Sequence, residues 1–192
     1  MAEKEASARK FTKKLMDFLD KSVNAFFAVE NMKEILQAEG FSPLYEGDDW
    51  KLERGGKYFV TRNGSALIAF HLPEKPFQGF QIIASHSDSP VFKIKTDPEM
   101  EVEQAYIQLN VEKYGGMICA PWLDRPLSVA GRVLIRTKKG VASKLVNLDR
   151  DLLLIPNLAI HMNREVNDGY SFNAQKDMLP LFSTMEGQGT SK

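Results

Sequence analysis

The N-terminal part of the chain carries two stripes of apolar residues with the period of an α-helix. The first stripe consists of Phe11, Leu15, Phe18 and Leu19, and it predicts an amphipathic helix over residues 5–19. The second consists of Phe26, Val29, Met32 and Leu36. Ser22 or Asn24 can cap its start, and Gly40 stands where a left-handed residue commonly ends a helix. We expect both helices to pack against a sheet.

From Lys57 onward the apolar pattern becomes that of β-strands. Residues 58–61 and 66–70 flank Asn63-Gly64, which predicts a hairpin with a type I′ turn. The apolar run Phe80–Ala84 predicts a buried strand that ends at His86. Further short strands are predicted after Pro90, over residues 91–96, 105–112, 127–137 and 141–147. This change of character predicts a domain boundary near residues 93–100.

Composition excludes several classes of protein. Lys plus Arg equal Asp plus Glu at 25 each in 192 residues, so no net field attracts nucleic acid or an anionic membrane. The lone cysteine, Cys119, permits no intrachain disulfide, which suits a reducing compartment. The N-terminus lacks the apolar core of a signal peptide, and no apolar run has the length of a membrane span. We expect a cytoplasmic protein that binds neither nucleic acid nor membrane.

His86 and Asp88 form the most informative polar pair. Residues two apart in an extended segment share a face, so both side chains can point into one cleft. Neutral imidazole is a good zinc ligand, and a nearby carboxylate commonly accepts its second N–H. The same pair also fits a buried structural histidine with a hydrogen-bonded carboxylate. Spacing alone favours this second interpretation.

Six segments in a fixed order carry a resemblance to a known family. They are KYFVTRN (57–63), ASHSDSP (84–90), KYGG (113–116), WLDRPL (122–127), AGRV (130–133) and IPNLAIH (155–161). In order and spacing they resemble the N-terminal portion of the aspartyl aminopeptidase family of zinc metallopeptidases. The resemblance implies removal of an N-terminal residue, often an acidic one, from peptide substrates.

The resemblance also implies a fold and an assembly. It implies an α/β protein: the N-terminal part of a mixed-sheet catalytic domain over residues 1–95, followed by an inserted β-rich dimerisation domain over 96–182. Residues 183–192 are small and polar, and they predict a flexible tail. Members of the family form homo-oligomers, namely tetrahedral dodecamers, through the inserted domain.

The same resemblance assigns roles to three site residues. It implies that His86 binds one of two zinc ions, that Asp88 orients His86, and that His161 reaches into a neighbouring subunit's active site to hold the substrate. The sequence around His161 by itself favours a satisfied interior histidine. Trp122 and Asp124-Arg125 are interpreted as a structural cluster.

The chain departs from the family pattern beyond His161. The family's remaining metal ligands, including a bridging Asp, and the Glu-Glu pair with the general base lie further along a chain more than twice this length. A zinc hydrolase needs about three protein ligands per ion. We therefore expect the N-terminal part of an enzyme, inactive by itself. The alternative is a non-catalytic assembly module derived from the family.

Overall fold

A computed structural model of the chain describes residues 2–186, with side chains from residue 5 onward. In chain order the elements are α1 (Ala2–Lys21), α2 (Ala25–Ala38), β1 (Ser42–Leu44), β2 (Lys57–Arg62), β3 (Ala66–His71), β4 (Val91–Val102), β5 (Tyr106–Tyr114), a 3₁₀ turn (Ala120–Trp122), β6 (Pro126–Leu127), β7 (Ala130–Thr137), β8 (Gly140–Asn147), β9 (Leu153–Leu154) and β10 (Leu181–Thr184).

The chain forms two compact units. Unit 1 contains the chain up to Ser89 together with Ala130–Val146, and unit 2 contains Pro90–Val129 and the chain from Asn147 onward. The polypeptide therefore passes between the units three times. The predicted boundary between residues 95 and 96 falls inside β4, and the hairpin of β7 and β8 belongs largely to unit 1.

Both predicted helices are present in unit 1. The Asn24 side chain caps α2 by accepting hydrogen bonds from the backbone N–H groups of Phe26 and Phe27, at 3.0 and 3.3 Å. Gly40 has φ +83°, as expected for a left-handed residue after a helix. Helix α2 contacts β2 and β3, whereas α1 contacts α2 and leaves Phe11 72% exposed.

The three-stranded sheet of unit 1 is built around the predicted hairpin. Its strand order is β1-β2-β3, with β1 parallel to β2 and β2 antiparallel to β3. Asn63 and Gly64 have φ of +53° and +66°, and Ser65 N–H donates to the Arg62 carbonyl at 3.2 Å. These values confirm a turn of the I′ kind, which needs positive φ at both central residues.

Unit 2 is mainly one antiparallel sheet with the order β4-β5-β10-β9-β6. Ile107, Leu109 and Val111 alternate along β5 and are buried, together with Leu153. This alternation is what the sequence predicts for a strand with one wet face. Strand β10 includes Ser183 and Thr184, the first two residues of the predicted tail, and residues 187–192 lie outside the described residues.

The predicted strand over Phe80–Ala84 does not form. Residues 72–90 contain no helix or strand, and Phe80, Ile82 and Ile83 are 81%, 83% and 100% exposed. A strand exists only when a neighbour pairs with its backbone, and no described residue does so here. The prediction was therefore wrong, because an apolar run does not by itself supply the neighbouring strand and the covering surface that a buried strand needs.

No helix within residues 2–186 is long and apolar enough to cross a membrane.

Candidate functional site

The structure brings His86 and Asp88 together in unit 1. The Nδ1 atom of His86 lies 2.7 Å from the Asp88 backbone oxygen and 3.1 Å from Asp88 Oδ1. In the neutral imidazole with its hydrogen on Nδ1, both oxygens act as acceptors and Nε2 keeps the lone pair that a metal needs. The His86 side chain is 81% exposed, which does not fit a buried structural histidine.

Ser87, between the two site residues, contacts the β2–β3 turn. Its hydroxyl donates a hydrogen bond to the Ser65 carbonyl at 2.9 Å. On the same turn, Nη1 of Arg132 donates to the backbone oxygen and to Oδ1 of Asn63, at 2.5 and 3.1 Å. The Arg132 guanidinium also lies over the Phe26 ring, 4.3 Å from its centroid. Sequence reasoning missed these contacts, because they join positions far apart in the chain.

The residues around His86 are too few for a complete metal site. Within the described part of the chain, no group of three or more His, Cys, Asp or Glu side chains could hold a metal ion. Zinc in a hydrolase takes about three protein ligands and keeps an open position for water. The donor set therefore fits one zinc ligand with its orienting carboxylate, and the remainder of such a site is not supplied by these residues.

His161 lies in unit 2, in a turn after residues 155–159. Its side chain is exposed, which does not fit an interior histidine. The preceding segment is fixed by Asp124, whose N–H donates to the Ile155 carbonyl at 2.9 Å and whose Oδ1 accepts from the Asn157 N–H at 2.8 Å. The Met162 N–H donates to Ala159 O at 2.8 Å and closes the turn.

Trp122, Asp124 and Arg125 each have structural contacts in unit 2. The Trp122 ring meets Phe92 edge to face, with centroids 5.0 Å apart. Arg125 donates to the Pro121 carbonyl at 3.4 Å, where the sequence suggested a carboxylate as its partner. Of these three residues, Asp124 is the one with hydrogen bonds to the segment that leads to His161.

Comparison with known proteins places these features in a family. Residues 18–192 match the family model described as Aminopeptidase I zinc metalloprotease (M18). The chain belongs to the M18 family. This confirms the family that the six segments indicated.

Relatives within M18 are similar over nearly all of this chain. A probable M18 family aminopeptidase 2 from Clostridium novyi is 49% identical over 176 residues, which cover 90% of this chain and 41% of the relative. Its counterpart from Clostridium acetobutylicum is 51% identical over 175 residues, covering 89% and 40%. The M18 chain thus spans about two-fifths of the length of these relatives.

Solved structures show the same fold. A chain in the cryo-EM structure of the Ape4 and Nbr1 complex is 41% identical with a TM-score of 0.90, covering 97% of this chain and 36% of its own. The Chaetomium thermophilum mApe1 structure is 34% identical with a TM-score of 0.82, covering 91% and 40%. The mixed α/β fold with several sheets is therefore that of M18 aminopeptidases.

Proposed function

We propose that this chain is the N-terminal part of a zinc-dependent aminopeptidase and contributes His86 to its metal site. The observation that carries the proposal is the pairing of the His86 Nδ1 atom with Asp88 in an M18 chain. His86 supplies a ligand nitrogen, and Asp88 holds the imidazole in the tautomer that leaves Nε2 available. The other ligands and the general base belong to the part of the relatives that this chain does not span.

The chemistry is metal-assisted hydrolysis of a peptide bond. When bound, zinc lowers the pKa of a coordinated water and polarises the scissile carbonyl. The substrates are peptides that lose an N-terminal residue, often an acidic one, and two ions occupy the complete site. The single cysteine supports a reducing compartment such as the cytoplasm for this reaction.

Unit 2 is proposed as the core of the inserted dimerisation domain, within residues 96–182. One edge of its sheet is β4, which has 12 residues and, within the described part of the chain, an unpaired backbone side suited to pairing with another chain. One structural relative, 26% identical with a TM-score of 0.73, is the Saccharomyces mApe1 dodecamer. His161, exposed in this unit, is proposed to contact the substrate in a neighbouring subunit's active site.

An assay of the complete polypeptide tests the function. We expect it to release N-terminal residues from aspartyl, glutamyl and neutral aminoacyl substrates, to lose activity in a chelator and to regain it with added zinc. His86→Ala should abolish activity and lower the zinc content, because one of the two proposed ions loses a ligand. His71→Ala, at another exposed histidine in β3, is the matched control and should keep both.

Activity that a chelator does not affect, or full zinc retention by His86→Ala, contradicts the proposal. A polypeptide that assembles but hydrolyses none of these substrates supports the alternative, a non-catalytic assembly module. The missing group of three ligands within the described residues is the observation that keeps this alternative open.

A further inference from the structure

We infer that Arg132 and Ser87 are positioning residues that hold the zinc ligand His86 in place through the β2–β3 turn. The turn, residues 63–65, lies between them, and we call Ser87, the turn and Arg132 together the turn brace. All of these residues belong to unit 1. The inference rests on the proposed role of His86 as a zinc ligand.

The segment that carries His86 has little support from packing. The chain that leads to the site, residues 80–84, is exposed along its whole length, with Ile83 100% exposed. Packing of residues 80–84 therefore does not fix the position of His86. The partly buried hydrogen bond from Ser87 Oγ to the Ser65 carbonyl supplies a fixed point one residue from each member of the His86–Asp88 pair.

The acceptor of that bond, the Ser65 carbonyl, belongs to the β2–β3 turn. Ser65 follows Asn63 and Gly64 at the tip of a hairpin, and hairpin tips are commonly among the mobile parts of a fold. A carbonyl there is a useful anchor only if the turn itself is held. Positive φ at Asn63 and Gly64 sets its shape, and its position depends on contacts from outside the hairpin.

Arg132 provides such a contact from β7, 69 positions along the chain from Asn63. Its Nη1 atom donates to two oxygens of Asn63, and its guanidinium lies over the ring of Phe26 in the first turn of α2. A planar guanidinium can donate to an oxygen pair and stack on a ring at the same time, whereas a lysine ammonium cannot. Arg132 thus ties the turn to both α2 and β7.

A positioning role can be separated from a contribution to overall stability. The hydrogen bonds of Arg132 lie at the surface, where such interactions add little to the free energy of folding. Groups that orient a metal ligand typically change metal affinity by about 10- to 100-fold when removed. Loss of the brace should therefore lower zinc affinity more clearly than it lowers the melting temperature.

The test measures zinc affinity in the complete polypeptide by competition with graded chelator, alongside kcat, KM and Tm. We expect Ser87→Ala and Arg132→Met each to lower zinc affinity about 10-fold. The double variant should lose little more than either single one, because both act through one turn. Excess zinc should restore most of kcat in every variant.

Two controls match these variants. Ser87→Thr keeps the hydroxyl, and Arg136→Met removes an exposed arginine from β7, the strand of Arg132. The zinc affinity of both variants should stay within about twofold of that of the unaltered protein. Asp88→Asn is the reference for a direct partner of His86. If Arg132→Met does not fold, Arg132→Lys replaces it in the zinc-affinity measurement, because lysine keeps the charge and lacks the planar guanidinium.

The results separate this inference from the function on which it rests. Unchanged zinc affinity in Ser87→Ala and in the arginine variant, with reduced affinity in Asp88→Asn, overturns the brace and leaves the zinc site standing. Unchanged affinity in His86→Ala overturns the proposed function itself. A loss of affinity in Ser87→Ala that Ser87→Thr does not rescue also contradicts the brace.

Discussion

The two candidate histidines, His86 and His161, differ in their surroundings. His86 has one imidazole nitrogen held within 3.1 Å of two Asp88 oxygens, as suits a metal ligand whose other nitrogen must be available. His161 follows a segment that Asp124 holds through hydrogen bonds with Ile155 and Asn157, and its imidazole is exposed. An exposed imidazole suits the proposed contact with a substrate in a neighbouring subunit's active site.

The proposed contribution of His161 to a neighbouring subunit's active site leads to a prediction about mixed oligomers. His86→Ala and His161→Ala polypeptides should each be inactive or strongly impaired. Co-assembled in equal amounts, they should regain about a quarter of full activity, because about a quarter of sites then combine an intact His86 with an intact neighbouring His161. The measurement is hydrolysis of an aminoacyl substrate before and after subunits are exchanged.

Two controls make this result interpretable. Mixing either variant with itself should restore nothing, and His71→Ala mixed with the unaltered protein should leave activity unchanged. If His161 acted within its own subunit, no mixture of the two variants would contain an intact site. Absence of any recovery in verified mixed oligomers would therefore rule out the contribution in trans.

Part of this residue-level picture was accessible from the sequence. The pairing of His86 with Asp88 followed from their spacing, because neighbours two apart meet in an extended segment. The contacts of Ser87 and Arg132 were not accessible, because they depend on which distant backbone oxygen each side chain reaches. No local rule relates position 132 to position 63.

At the scale of elements, the cap of α2 is a local feature with a measurable effect. We expect Asn24→Ala to lower the free energy of unfolding by about 1 kcal/mol, because two backbone N–H groups lose their acceptor. Urea unfolding measures the change, and hydrogen exchange at Phe26 and Phe27 locates it. Asn24→Asp keeps an acceptor, so its free energy of unfolding should stay close to that of the unaltered protein. Unchanged exchange at both amides in Asn24→Ala would contradict the assigned cap.

Elements were predictable where their signals are local. The helices, the β2–β3 hairpin and the alternation along β5 were recognised because caps, turn residues and periodicity lie within a few positions of each other. Strands β1, β9 and β10 have two to four residues and exist through pairing with distant strands. Their sequences carry too few residues to show a period.

The whole molecule exposes more surface than a folded chain of its size requires. Its accessible area is 15576 Å². One compact protein of this mass would expose about 9,200 Å², and two separate compact units of these sizes about 11,000 Å². The excess therefore exists however the two units are arranged. The apolar run at residues 80–84 and the stripe on α1 contribute to it.

This excess area predicts that the 192-residue chain by itself self-associates. Replacing Ile82 and Ile83 together with lysine should raise the share of monomer, because it removes the most exposed apolar side chains of the run. Light scattering on dilution measures the share. Ile118→Lys, at an exposed apolar position of unit 2, is the control and should have a smaller effect. A monodisperse, compact monomer of the unaltered chain would contradict the prediction.

The exposed run at residues 80–84 also matters while the polypeptide is being synthesised. In a polypeptide as long as the relatives, about three-fifths of the length lies outside the matched part, and at ribosomal rates its synthesis lasts on the order of tens of seconds. During that interval the run, which the described residues leave exposed, can meet the same run of another nascent chain. Pro73, Glu74, Lys75 and Pro76 stand just before it, and residues of these kinds hinder pairing between nascent chains. We therefore expect these four residues to limit association of the run between nascent chains.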